Sequence, residues 1–382
     1  MGVGGMDDQV RKSRWAISGR AILGVTLILV ICAVAAPLFD FRCGAFHPYV
    51  PPPLAASGNA ANLRATIILP CADLPMPVGK NVIWSASFQV AWDELKKVAG
   101  GGLPGNQDLV RRLNAVVLAR DTLPRDNCYV ATGPASQSFI DKINADMNAR
   151  FPGVKPDIVP ANADDVLAYA YLKAEVKFAH PFFDSKSGLD FVDATGVRSP
   201  INSFGLYQTS GSSQANDQLA EQVAVLYRVR GDEFGDSREF ALDLDRHSAP
   251  AQLILARVEP RETLAATWKS IKEKIADPLN RQDAYFGSQD RLGVPNINFD
   301  LLRRYTELET DNDFHLLQAA QRIKFRLDRA GADLADESTA LTRAAHRRFL
   351  FDRPFLVVLR NRDSGEPYFL MWIANAELLC AK

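Results

Sequence analysis

The sequence is poor in the residue types and spacings that mark catalysis or cofactor binding. Its five histidines, His47, His180, His247, His315 and His346, are scattered through 382 residues without ligand or triad spacing. The phosphate-binding pattern GxxxxGK[ST], the zinc-protease pattern HExxH and the nucleophile elbow GxSxG are absent. The five cysteines show no CxxC or Cys/His spacing, which speaks against a zinc site. Net charge is −1, so no field of one sign favours nucleic acid or an acidic partner. Carboxylates are many but no pair stands out, and Asp164-Asp165 reads as a helix or strand cap. The expectation is a protein that is not an enzyme and has no metal and no cofactor.

What is present is a globular composition, 47% hydrophobic and 23% charged, on a chain long enough for a sizeable core. The N-terminus departs from it. Ala21 to Phe39 is uncharged and matches the roughly 20 residues a helix needs to cross a bilayer. Arg11, Lys12, Arg14 and Arg20 precede it and only Arg42 follows closely. The positive-inside rule then places residues 1–20 in the cytoplasm and the bulk of the chain outside, a single-pass membrane protein. The small residues of "AVAA" would also suit a signal peptidase. Pro37 beside the cut and an apolar run longer than the usual signal core of about 7–15 residues favour an anchor. Residues 40–61, rich in Pro and Ala, read as a linker. Cys43, Cys71, Cys128 and Cys380 would face an oxidising compartment, where four thiols allow three pairings; buried free thiols are the alternative.

Beyond residue 62 helical patterns come first and strand patterns later, which predicts an α+β fold with mixed or antiparallel sheets. "NVIWSASFQVAWDELKKVAGGG" turns from strand to helix, with Ser85 or Ser87 as cap, Phe88, Ala91, Trp92 and Leu95 on one face, and Gly100–Gly102 as stop. "NQDLVRRLNAVVLA" and "SQSFIDKINADMNARFPG" read as further helices. "VLAYAYLKAEVKFAHPFF" alternates as a long strand, and "VAVLYRVRG", "REFALDLDR" and "AQLILARVEP" form an antiparallel meander before the helix in "PRETLAATWKSIKEKIAD". "IKFRLD" alternates as a half-buried strand, while "FLVVL" is a fully buried one that enters a hairpin turning at Asp363-Ser364-Gly365. Between these two strands lies "GADLADESTALTRAAHRR", far longer than the usual connection of about 4–6 residues.

"FLFDRPFLVVL" resembles the C-terminal signature of the serpins, with Asp352, Arg353, Pro354 and Phe355 matching in order and Arg353 where His is common. Further similar segments follow the family's order: "KNVIWSASF", with Ala86 in place of a proline, "YLKAEVKFAHPFF", with Phe178 in place of a tryptophan, "VAVLYRVRG", "VPNINF" and "YFLMWIANAE". The resemblance covers about residues 62–380. It implies one domain (62–382) with a large central mixed sheet, two smaller sheets and surrounding helices. It also implies that 329–348 is a reactive-centre loop, cleaved by an extracytoplasmic serine or cysteine protease and then inserted into the central sheet as a new strand.

Aligned on Gly331, the inserted hinge would turn Ala332, Leu334, Asp336 and Ser338 toward the core. Ala332 fits. Leu334 overpacks by about 1–3 kcal/mol, and the Asp336 carboxylate costs several kcal/mol unless paired or protonated. These residues suit a non-inhibitory serpin-fold module as the alternative. The cleavage site falls at Arg343, Ala344 and Ala345, and Arg347 or Arg348 would also suit a trypsin-like protease; equally, these cations keep an exposed loop soluble. A family helix that covers the central sheet has no counterpart between Val159 and Val166, and another early helix is missing too.

Overall fold

The computed structural model describes residues 49–101, 103, 108–118, 120–158, 165–207, 213–229, 237–281, 285–308, 316–329 and 347–382. The chain divides into two units, Met1–Tyr49 and Val50–Lys382. Among the described residues, every helix and strand lies in the second. No helix among the described residues is long and apolar enough to cross a membrane, and the apolar run 21–39 lies outside them.

The second unit opens with short strands β1 (Ala56–Asn59), β2 (Thr66–Leu69) and β3 (Asn81–Ser85). Ser85 ends β3 and caps helix α1 (Ala86–Val98), its hydroxyl accepting from the Ser87 amide. Phe88, Ala91, Trp92 and Leu95 are buried, as their spacing predicts. The helix stops where Gly101 N donates to Lys96 O and Gly100 N to Lys97 O. Gly100 sits at φ +73, which a side chain would strain. Helix α2 (Asp108–Ala115), strand β4 (Cys128–Pro134) and helix α3 (Gln137–Arg150) follow. Then come β5 (Val166–Glu175), β6 (Phe183–Asp184), the hairpin of β7 (Leu189–Val192) and β8 (Arg198–Ile201), and β9 (Ser203–Leu206). Helix α4 (Ser213–Gln222) leads to the meander of β10 (Ala224–Arg228), β11 (Phe240–Asp243) and β12 (Ala251–Arg257), and helix α5 (Leu264–Ala276) follows. The last strands are β13 (Arg291–Pro295), β14 (Ile297–Arg304), β15 (Leu316–Leu327), β16 (Arg348–Leu350), β17 (Phe355–Asn361) and β18 (Pro367–Ile373).

The fold is mixed α+β, as the element order predicts. A five-stranded sheet runs β1-β14-β15-β5-β4, and a seven-stranded sheet runs β10-β11-β12-β17-β18-β3-β2. A four-stranded sheet, β16-β13-β9-β6, and the β7-β8 hairpin complete the set. The two large sheets share one core, in which Phe325 of β15 stacks on Phe369 of β18 at 5.0 Å and on Phe299 of β14 at 5.6 Å. "FLVVL" lies buried between β12 and β18, as a run apolar on both faces should.

Several expectations need correction. The sheet that leads into 329–348 has five strands, and the seven-stranded sheet exceeds it. Residues 52–59, read as linker, belong to the folded unit: Ala55 N donates to Asn298 O, and β1 pairs in parallel with β14. β5 ends at Glu175, short of the long alternating run, and is buried on both faces rather than one. The cause is α3, which lies on the five-stranded sheet's outer face. Ile140, Ile143, Met147 and Phe151 pack there on Tyr129, Tyr169, Tyr171, Leu302 and Ala320. The outer face of the sheet is therefore covered by α3. Cys71, Cys128 and Cys380 are buried free thiols; Cys43 lies outside the described residues.

Candidate functional site

The strand expected to lead into the long segment is β15, and it lies in the middle of the five-stranded sheet. It pairs antiparallel with β14 and parallel with β5, in register from Gln318 opposite Leu167 to Arg326 opposite Glu175 after an irregularity between Leu316 and Gln318. This parallel pair is the seam between two halves of the sheet, β1-β14-β15 and β5-β4.

The core side of the seam holds one buried polar group. Gln321 is fully buried on β15. Its Nε2 donates to Ser87 Oγ at 2.9 Å and to Ser85 O at 3.3 Å, while its Oε1 accepts from the Tyr305 hydroxyl at 2.7 Å. Burial holds the Tyr305 hydroxyl well above its ordinary pKa, so it donates and does not ionise. Ser85 and Ser87 belong to the "SASF" turn that caps α1, so the seam is tied to that helix's start. In sequence Gln321 is a polar residue in phase with Ala319, Ile323, Phe325 and Leu327; that break in an inward-facing series is the signal that could have found it.

On the outer face, at the upper end of the seam, Glu175 Oε2 lies 3.0 Å from Lys173 Nζ and 3.8 Å from Arg326 Nη2 of the facing strand. Burial alone would raise the Glu175 carboxyl, but the Lys173 hydrogen bond and the Arg326 and Lys324 charges together hold it below its ordinary value.

Both ends of the long segment are pinned by arginine–carboxylate pairs. Just past β15, Arg329 Nε is 2.8 Å from Asp184 Oδ2 on β6. At the other end, Arg347 N and Nε donate to Asp290 Oδ1 at 3.2 and 3.1 Å, and Nη2 donates to Asp290 Oδ2 at 2.5 Å and to Tyr285 O. Asp290 is itself buried and accepts from Gly287 N at 2.8 Å. Arg347 is thus committed to Asp290, and Arg348 stands in β16, paired with β13. A trypsin-like protease would have to displace these contacts to reach either residue. The hinge residues Gly331, Ala332, Leu334, Asp336 and Ser338 lie outside the described residues, as do Arg343, Ala344 and Ala345.

The signature Asp352, Arg353, Pro354 and Phe355 forms the corner where the chain leaves β16 for β17. Arg257 Nη1 donates to Leu350 O and to Asp352 Oδ1, both at 3.0 Å, while Phe355 packs on Phe351 at 5.2 Å. Arg353 is exposed. These residues join two sheets. No cluster of metal-ligating side chains occurs among the described residues.

No protein-family model matches the sequence. The structure is similar to solved members of the serpin family at low identity. With native protease nexin-1 bound to heparin the identity is 13%, covering 78% of this chain and 93% of that one, with a TM-score of 0.47. With thyroxine-binding globulin in complex with thyroxine the values are 15%, 80%, 94% and 0.48. With Serpin48, a highly specific serpin of the insect Tenebrio molitor, they are 12%, 77%, 92% and 0.46.

Proposed function

We propose that the chain is a serpin-fold protein that presents the segment between Arg329 and Arg348 to a serine or cysteine protease, and that cleavage there lets the segment enter the sheet between β15 and β5. The parallel pairing of β15 with β5 carries this reading. A chain that turns back after Leu327 meets both strands antiparallel, so one parallel ladder would be exchanged for two antiparallel ones, which are slightly more stable per residue. The protein would be consumed by the event and is not a catalyst. The order of the serpin-like segments along the sequence supports the same reading, and the uncharged run 21–39 supports a tethered protein that meets its protease outside the membrane.

A second reading, a serpin-fold binding module whose segment never inserts, draws on Leu334 and Asp336, which suit a buried strand face poorly. The two separate on incubation with trypsin-, chymotrypsin- and subtilisin-like proteases. Insertion yields a covalent complex that survives denaturation and a cleaved form with raised thermal stability. Nicking near Arg343 with neither outcome overturns it and leaves the binding module.

A further inference from the structure

We infer that residues 52–69 form an exchangeable cover over the edges of both large sheets, and that its place can be taken by the same segment of a second copy of this chain. Without this segment the five-stranded sheet would end at β14, a strand of eight residues, and the seven-stranded sheet at β3. Phe299 and Leu301 of β14 and Val82 and Ile83 of β3 are fully buried. Apolar edges of this kind invite pairing with another chain. The cover replaces them with two strands of four residues, β1 and β2, each laid parallel to the strand it hides. Both new edges are blunt. Gly58 at φ +91 and the tight turn Ala60–Asn62 end β1, while Pro70, which has no amide hydrogen to offer, follows β2.

The cover is held by polar contacts more than by burial. Of residues 52–69, Ala56, Ala60, Thr66 and Ile68 are buried and the others are partly or fully exposed. The Glu377 carboxylate accepts from Arg64 N at 2.9 Å, from Ala65 N at 3.0 Å and from Thr66 Oγ1 at 2.7 Å. Beside it, Asn375 Nδ2 donates to Ala65 O at 3.0 Å. At the start of the cover, Asn298 Nδ2 donates to Pro52 O at 2.6 Å and Ala55 N donates to Asn298 O at 2.7 Å. A segment that buries so little apolar surface opens more readily than the sheets it lies on.

The chain just beyond the cover stays fixed. Ala265 N donates to Ala72 O at 2.9 Å and Met76 N to Glu262 O at 2.8 Å, which ties residues 72–76 to the start of α5. Opening therefore swings residues 52–70 about Cys71, a reach of roughly 60 Å when extended. The edges left behind fit the sequence that covered them, and a second copy carries that sequence. Exchange between two copies restores the same ladders and the same Glu377 and Asn298 contacts, which makes it a low-cost route to pairing. This holds whatever becomes of the segment between Arg329 and Arg348.

The test is disulfide trapping between full chains in which Cys32 and Cys43 are replaced by Ser. Ser57 of β1 and Asp300 of β14 are register partners. One chain carries Ser57→Cys and the other Asp300→Cys, so a mixed disulfide reports the cover of one copy lying on β14 of the other. With Glu377→Ala in both chains, the mixed disulfide should form about tenfold faster than with Glu377 intact, the effect of losing a few charge-assisted hydrogen bonds. Its rate should rise with protein concentration, and an excess of synthetic peptide 52–69 should suppress it. A single chain with both cysteines and Glu377 intact should close on itself instead, and failure of that closure overturns the inference. So does the absence of a mixed disulfide from the Glu377→Ala pair, or equally fast joining of Ser57→Cys to a chain carrying Asp363→Cys, an exposed position away from β14. Should the Glu377→Ala chains not fold, Asn298→Ala, which releases the start of the cover, carries the test with the same expectations.

Discussion

Gln321 and Ser87 meet beneath the seam, the amide of one donating to the hydroxyl of the other at 2.9 Å, so the strand that leads into the long segment is hydrogen-bonded to the first turn of α1. Replacing Gln321 by Leu strands the Tyr305 hydroxyl in the core and takes a donor from Ser87 Oγ. Urea unfolding should show a loss of about 2–3 kcal/mol, against about 1 kcal/mol for Tyr305→Phe, which removes a single bond. A Gln321→Leu variant within about 0.5 kcal/mol of wild type would show that the group is dispensable.

Glu175 gives a pH dependence of defined sign. Its folded pKa is lowered, so its contribution to stability is present above its unfolded value, about 4.3, and is lost as pH falls through the lowered folded value. The stability difference between wild type and Glu175→Gln should be positive at pH 7 and shrink to nothing in strong acid. A difference that grows on acidification would reverse the assignment.

Thiol labelling tests the core directly. Burial pushes Cys71 and Cys128 up to about 12 and Cys380 to about 11, so at pH 8 each is a protonated, enclosed thiol. None of the three should react with a disulfide reagent in the native protein, and all should react in denaturant. A peptide map that finds one of them oxidised, or labelled under native conditions, contradicts this.

Limited trypsin digestion should cut after Arg343 and spare Arg347, whose guanidinium is occupied by Asp290. Fragment masses decide it, and a dominant cut after Arg347 would mean that the Asp290 pair opens readily.

The hinge can be tested by substitution. Leu334→Ala with Asp336→Ala removes an overpacked side chain and a carboxylate whose burial costs several kcal/mol. The gain in thermal stability after cleavage should then develop faster than in wild type. Equal rates would show that these two side chains do not face the core.

Local rules made much of the fold legible. Ser85, the helical spacing from Phe88 to Leu95 and the glycines behind Val98 define α1, and alternation defines "IKFRLD" because Lys324 and Arg326 remain half-exposed beside buried Ile323 and Phe325. What escaped depends on partners far along the chain. Ala56–Asn59 carries no strand pattern, and it pairs only because β14 offers an open edge. Asp184 and Asp290 look like ordinary surface acids until the fold brings Arg329 and Arg347 to them. The loss of alternation in β5 comes from α3 lying on its outer face, which no periodicity within β5 itself can show.

The corner at Asp352 bears on what becomes of a severed chain. Everything after the long segment, residues 348–382, is woven into two sheets, with β17 and β18 in the interior of the seven-stranded one, between β12 and β3. A cut between Arg329 and Arg348 thus divides the polypeptide without dividing the particle. The short C-terminal fragment would separate on a denaturing gel yet co-elute with the rest in native buffer, retained by ladders on both sides rather than by any covalent bond.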